Sequence, residues 1–298
     1  MTQQRFISRR TLFVALASTY AASACAHRHT TLQREFAAAV AAIQSRIGGR
    51  IGVYMLDTQS QLELAFNARE RFAMCSTFKL LLAASVLRRV AAGTLTLDHK
   101  LPLRPEDMVA YAPVTSLHLA EGSMSVRDLC SAIVTVSDNP AANILLAATG
   151  GPAGFTQFVR GLGDRVTRLD RIELQLNTNL PGDPRDTTTP QAMAHSMEKV
   201  LLGDVLAMQA KLQLIAWLRE GTPGLARLRA GLPAQWKAGD KTGTGANGAN
   251  NDLLIAWPPG RSALIGAVYL SESTQSTQVL EQAHAEIGGL VAAAIARQ

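Results

Sequence analysis

Ser76-Thr77-Phe78-Lys79 stands at the head of the apolar run Leu80-Leu81-Leu82-Ala83-Ala84-Ser85-Val86-Leu87. Read as a helix, the run puts positions i and i+3 on one face. The Ser76 hydroxyl then lies beside the Lys79 amine, at the helix end where backbone N–H groups are unpaired. A serine is a weak nucleophile until a neighbour takes its proton, and this spacing supplies the neighbour. One S-x-x-K alone says little, since chance gives roughly one in a chain of this length. A second occurs at Ser196-Met197-Glu198-Lys199, inside a helix opened by Thr189-Pro190, a capping residue and a first-turn proline. Its serine is mid-helix, so the sequence predicts ordinary helix surface there.

Three further motifs follow the first pair in order. They are Ser137-Asp138-Asn139, Glu173-Leu174-Gln175-Leu176-Asn177 and Lys241-Thr242-Gly243. S-x-x-K, S-D-N and K-T-G together are the signature of serine enzymes that open a lactam ring. On these motifs the chain closely resembles the class A β-lactamases, over nearly all of its mature length. The resemblance implies a mixed α/β (α+β) fold, with an antiparallel sheet flanked by helices beside an all-α lobe. The site would lie in the seam.

The resemblance also implies roles. Ser76 would open the ring, with its own N–H and that of Thr244 as the oxyanion hole. Lys79 would remove or relay the serine proton, and whether Lys79 or Glu173 is the acylation base stays open. Glu173, with Asn177, would hold the water that hydrolyses the ester. Arg171 and Asp186 would clamp the neck of that loop, and the peptide after Glu173 would be cis although Leu174 is not proline. Ser137, assisted by Lys241, would pass a proton to the leaving nitrogen. Asn139 would bond the substrate's side-chain amide, and Asn143 would support the loop. Asp138 reads as structural, an acid that caps local N–H groups. Lys241-Thr242-Gly243-Thr244-Gly245 would be an edge strand whose glycines let a ligand approach. Thr242 and Thr244 would bond the substrate carboxylate. Arg227 matches a carboxylate anchor of some relatives, against the alternative of a surface arginine. Tyr111 reads as a wall of the cleft or as a packed loop tyrosine.

The rest of the chain agrees with a single enzyme domain. Its 298 residues are 47% apolar, ample for a core. Setting aside Arg5, Arg9 and Arg10 leaves 26 basic residues against 23 acidic, a net +3. That is too little for a nucleic-acid stripe. The six histidines show no metal-ligand spacing, and no cofactor is implied.

Residues 1–26 read as an export signal. Ser8-Arg9-Arg10-Thr11-Leu12-Phe13 resembles a twin-arginine signal, and Leu12 to Ala24 is too short to span a membrane. Ala24-Cys25-Ala26 suits a signal peptidase; Ala22-Ser23-Ala24-Cys25 is an imperfect lipobox that would place a lipid on Cys25. Either route predicts a periplasmic protein, with a monomer as the default. Residues 27–298 would form the catalytic domain, with 27–67 and 220–298 in the sheet lobe and 68–219 in the helical lobe. The family's bridging partners for Cys75 and Cys130 are replaced by Gly245 and Ala83, so both read as buried thiols.

Strands are predicted at 51–56, 62–66, 236–244, 253–257 and 263–270, with helices between about 76 and 218 and again from about 275. A helix opens at Ser125 with a capping-box pattern. The stretch from Arg171 to Asp186 reads as a long functional loop. Two other serine chemistries share the motifs: a D-Ala-D-Ala peptidase, and a lactam sensor that stays acylated. Glu173 with Asn177 argues against the first; the second usually carries a membrane-spanning helix, and none is visible beyond the signal.

Overall fold

A computed structural model describes the backbone of residues 9–298 and the side chains of residues 28–298. Arg5 and the side chains of Arg9, Arg10 and Cys25 lie outside the described residues. The chain begins with α1 (Arg9–Ile47), then β1 (Arg50–Asp57) and β2 (Glu63–Phe66). A short β3 (Phe72–Ala73) precedes α2 (Phe78–Ala91). Next come β4 (Lys100–Pro102), β5 (Ser123–Ser125), α3 (Val126–Thr135), α4 (Asn139–Ala148) and α5 (Gly151–Gly161). After β6 (Thr187–Thr188) follow α6 (Pro190–Leu201) and α7 (Met208–Glu220). Three strands, β7 (Lys237–Thr244), β8 (Asn250–Trp257) and β9 (Leu264–Ser271), lead into α8 (Thr277–Ala296). No described helix is long and apolar enough to cross a membrane.

The main sheet has the order β2-β1-β9-β8-β7 and its pairings are antiparallel. First and last segments of the chain therefore share one sheet, as the sequence pattern predicts. Alternation along each strand splits its side chains between two cores. Ile51, Val53 and Met55 of β1 face one way, where Leu32, Phe36, Val40 and Ile43 of α1 and Leu280, Ile287 and Val291 of α8 cover them. Tyr54, Leu56, Ile265 and Tyr269 face the other way, onto α2 and the helical lobe. The α1 stripe over 32–47 was not assigned from the sequence.

Helix α2 runs through the centre. Every residue from Phe78 to Leu87 is buried, and apart from Lys79 and Ser85 all are apolar, so this stretch of the helix is wrapped by others. Ser125 caps α3 by accepting the Asp128 N–H, and Thr189 caps α6 by accepting the Ala192 N–H. These two predicted starts hold because each has its acceptor.

One expectation fails. Ser196 is not helix surface: it is 2% exposed, and its hydroxyl donates to Asp164 Oδ2 at 3.1 Å. That acceptor comes from the loop after α5, which the periodicity of α6 cannot reveal. Cys75 and Cys130 are both buried free thiols.

Candidate active site

Ser76 lies in a single 3-10 turn, Cys75–Thr77, that feeds directly into α2. Lys79 Nζ donates to Ser76 Oγ at 2.9 Å, and Ser76 Oγ donates to Glu173 Oε1 at 3.2 Å. Lys79 is fully buried, and its ammonium also reaches Asn139 Oδ1 at 2.6 Å, Ser137 O at 2.9 Å and Glu173 Oε1 at 2.9 Å. Burial lowers the pKa of Lys79, while the Glu173 charge beside it pulls the other way. The pair carries a desolvation penalty, and breaking it costs more still, because removing one partner strands a buried charge.

Glu173 arrives from the long loop. The Arg171 Nε to Asp186 Oδ2 contact of 2.6 Å closes the loop's neck, and Asp186 Oδ1 accepts the N–H groups of Asp170 and Arg171. Asn143 on α4 braces the loop from beneath, bonding Glu173 N and Glu173 O at 2.9 Å each. The Glu173–Leu174 peptide is cis. Glu173 Oε2 accepts Asn177 Nδ2 at 2.6 Å, and Asn177 Oδ1 is buried with no protein partner. The carboxylate thus touches both Ser76 and Asn177.

The S-D-N turn joins from the α3–α4 connection. Asp138 is fully buried and accepts from Val114 N, Thr115 N, Thr115 Oγ1 and Ala141 N, which holds the turn in place. Ser137, at φ 65°, accepts from Lys241 Nζ at 3.0 Å. Asn139 Nδ2 donates to Ala110 O. Both polar ends of Asn139 therefore have protein partners, leaving one lone pair and one N–H free for a ligand.

On the far side β7 is the sheet edge, as predicted. Its Gly243 has a different reason from the one expected. A Cβ there would stand 2.7 Å from Met74 O and 3.2 Å from Cys75 Cβ, so the glycine lets β7 approach the Ser76 turn rather than a ligand. A cleft of about 410 Å³ is lined by Ser76, Tyr111, Ser137, Asn139, Asn177, Arg227, Thr242, Gly243 and Thr244. Lys79, Glu173 and Lys241 stand buried behind that lining.

The family model for the β-lactamase enzyme family matches residues 32–295. β-Lactamase CTX-M-8 of Citrobacter amalonaticus is 43% identical over 239 residues, 80% of this chain and 82% of that protein. β-Lactamase L2 of Stenotrophomonas maltophilia is 42% identical over 278 residues, 93% of this chain and 90% of its own. The solved ancestral (GNCA) class A β-lactamase superposes with TM-score 0.86 at 50% identity, covering 87% of this chain and 99% of that one. The chain belongs to the class A β-lactamases. Its activity is therefore β-lactam hydrolysis.

Arg227 is buried, which removes the alternative of a surface arginine. It is 4% exposed. Its Nη1 donates to Gly243 O at 3.1 Å and Asn251 O at 2.6 Å, and its Nη2 to Thr244 Oγ1 at 2.8 Å. Glu281 of α8 lies 3.5 Å from its Nε. The neighbouring Arg229 turns away and pairs with Asp240 at 2.8 Å. Lys241 is 1% exposed, and burial pushes its pKa down to about 7. The charge of Lys79 contributes to that lowering, and Asp240 opposes it. Tyr111 is 58% exposed at the cleft mouth, with φ 62°, and its carbonyl accepts the Asn139 N–H.

Two lining residues, Leu174 and Pro223, were not among the expected site residues. Leu174 could have been found from its place beside Glu173. Pro223 sits in a turn whose facing no sequence signal reveals.

Proposed function

We propose that the chain hydrolyses penicillins and cephalosporins through a Ser76 ester. Ser76 Oγ attacks the lactam carbonyl, and its proton leaves to a base. Glu173 Oε1 already accepts that hydroxyl, whereas Lys79 can accept a proton only once it is neutral. The N–H groups of Ser76 and Thr244 hold the oxyanion, each worth about 10²–10³ in rate. The C–N bond breaks, and Ser137 passes a proton to the leaving nitrogen with Lys241 beside it. Thr242, Thr244 and Arg227 hold the substrate carboxylate, Asn139 takes the side-chain amide, and Tyr111 walls the cleft. Glu173 then takes a proton from a water, which attacks the ester carbon; the C–Oγ bond breaks, and Glu173 returns the proton to Ser76 Oγ.

One observation carries this reading: the buried Glu173 carboxylate contacts both Ser76 Oγ, at 3.2 Å, and Asn177 Nδ2, at 2.6 Å. Asn177 Oδ1 beside it is an acceptor without a protein partner. A carboxylate and a free amide oxygen next to the ester carbon suit a hydrolytic water. A sensor that stays acylated has no use for that pairing, and a D-Ala-D-Ala peptidase, which lacks the loop carboxylate, would hydrolyse a lactam ester slowly. Mass spectrometry of Glu173→Gln mixed with a penicillin tests it. The variant should accumulate an adduct of one substrate mass. Prompt return of unmodified enzyme would refute the role of Glu173.

We assign residues 1–26 to an export signal, residues 27–298 to the catalytic domain, and the mature protein to the periplasm as a monomer. The intact mass of the exported protein distinguishes cleavage near Ala26 from lipid attachment at Cys25.

A further inference from the structure

The loop that carries Glu173 and Asn177 is fastened to the β7–β8 turn by a pair of asparagines. Asn179 Nδ2 donates to Ala246 O at 3.2 Å, to Asn247 O at 3.0 Å and to Ser271 Oγ at 2.9 Å. Asn247 Nδ2 returns the contact, donating to Thr178 O at 3.3 Å and Asn179 O at 3.0 Å. Each side chain thus binds the other's backbone. Both residues have positive φ, 45° and 48°, a conformation asparagine tolerates better than most. Between them, Ala246 N donates to Asn177 O at 2.9 Å. The clasp therefore fixes the main chain of Asn177, the residue whose amide holds Glu173 Oε2. Its other half lies three residues from Thr244, at the end of β7.

We propose that Asn179 and Asn247 are positioning residues for ester hydrolysis. They hold Asn177, and through it Glu173, at a fixed distance from the β7 edge where the ester carbonyl would lie. They touch neither Ser76 nor Lys79, and Lys79 stays beside Ser76 at 2.9 Å without them, so the attack on the lactam depends on them less than ester hydrolysis does, where Glu173 and Asn177 together face the water. This rests on the reading of Glu173 given above. Misplacement of a catalytic group by about 1 Å can cost on the order of 10²-fold in rate.

The test uses Asn179→Gly, Asn247→Gly and the double variant. Glycine keeps the positive φ and removes only the side chain. Acylation and deacylation by a penicillin are measured separately, by rapid mixing and mass spectrometry, alongside thermal melting. Each single variant should deacylate roughly ten- to a hundred-fold more slowly, with acylation slowed much less. The double variant should be no slower than the worse single one, because the two act as a unit. Should the double variant fail to fold, the single variants decide. Unchanged deacylation overturns the proposal. So does an equal fall in both steps, which marks a general loosening of the fold. Glu173→Gln run in parallel reads the other assignment: if it blocks deacylation while the glycine variants do not, the clasp alone falls. If it deacylates normally, both fall together.

Discussion

Two S-x-x-K segments in this chain share a spacing and differ in everything else. In the first, the amine and the hydroxyl meet at 2.9 Å, and a third group, Glu173, arrives from 97 residues away. In the second, Ser196 turns inward to Asp164 at 3.1 Å, while Lys199 Nζ reaches Leu162 O at 2.5 Å. One segment heads a helix and opens on a cleft; the other lies within a helix and staples a loop. A spacing of three brings two side chains onto one face, but position along the helix decides whether they can serve a substrate.

The largest test exchanges the serines. Ser76→Ala should lower kcat by on the order of 10⁵–10⁶, the scale seen when a nucleophile is removed. Ser196→Ala should leave kcat and KM alone and lower stability by about 1 kcal/mol, the worth of one buried hydrogen bond. In a chain of this size that is roughly 2–4 °C in Tm. Steady-state kinetics and a melt on each variant check both halves. Comparable activity loss in the two would erase the distinction.

The lysines give a smaller contrast. Lys79→Met should cut acylation by about 10²–10⁴, since proton transfer at Ser76 loses its partner. It should also destabilise by about 3–5 kcal/mol at a pH where Glu173 stays charged, because that carboxylate is left buried alone. Lys199→Met should change neither rate. Single-turnover acylation and denaturant melts separate the two effects.

A third contrast lies two residues apart. Arg227→Ala should lower kcat/KM roughly tenfold or more, as a charge-assisted bond to the substrate carboxylate is lost. Arg229→Ala should act on stability, because it leaves Asp240 buried without its partner. Equal kcat/KM for wild type and Arg227→Ala across several lactams would return Arg227 to a structural role.

These contrasts mark where sequence reading worked. Ser76, Lys79, Glu173 and Lys241 were legible because their motifs are short and local, and their order along the chain is informative. The strands of the main sheet were legible because alternation and apolar runs are local too. What was hidden depends on distant partners. Ser196 is buried by a carboxylate from another loop. Arg227 is buried by carbonyls of β7 and β8 and by Glu281 of α8, none adjacent to it in sequence. The first helix went unassigned because its apolar stripe acquires meaning only against β1 and α8. Gly243 was expected to make room for a ligand and instead makes room for Met74 and Cys75.

The smallest effect concerns the second buried amine of the cleft. Lys241 has its pKa lowered to about 7 by burial and by the charge of Lys79. An unfolded lysine titrates near its ordinary value of 10.5. Between those two values the unfolded chain binds the extra proton and the folded chain does not. Stability should therefore rise with pH across that window, and the penalty for a buried ammonium is fully present below it. Binding should run the opposite way. Above pH 7 the charged fraction of Lys241 falls about tenfold per unit, so its support of Ser137 fades, and so does the positive charge it places behind Thr242, one of the residues proposed to hold the substrate carboxylate. We expect KM for a penicillin to climb while Tm, taken relative to Lys241→Met, climbs as well. Other titrating groups cancel in that difference unless they couple to Lys241. Both rises should begin near pH 7, the folded pKa of the lysine, and a flat Tm difference would place its titration elsewhere.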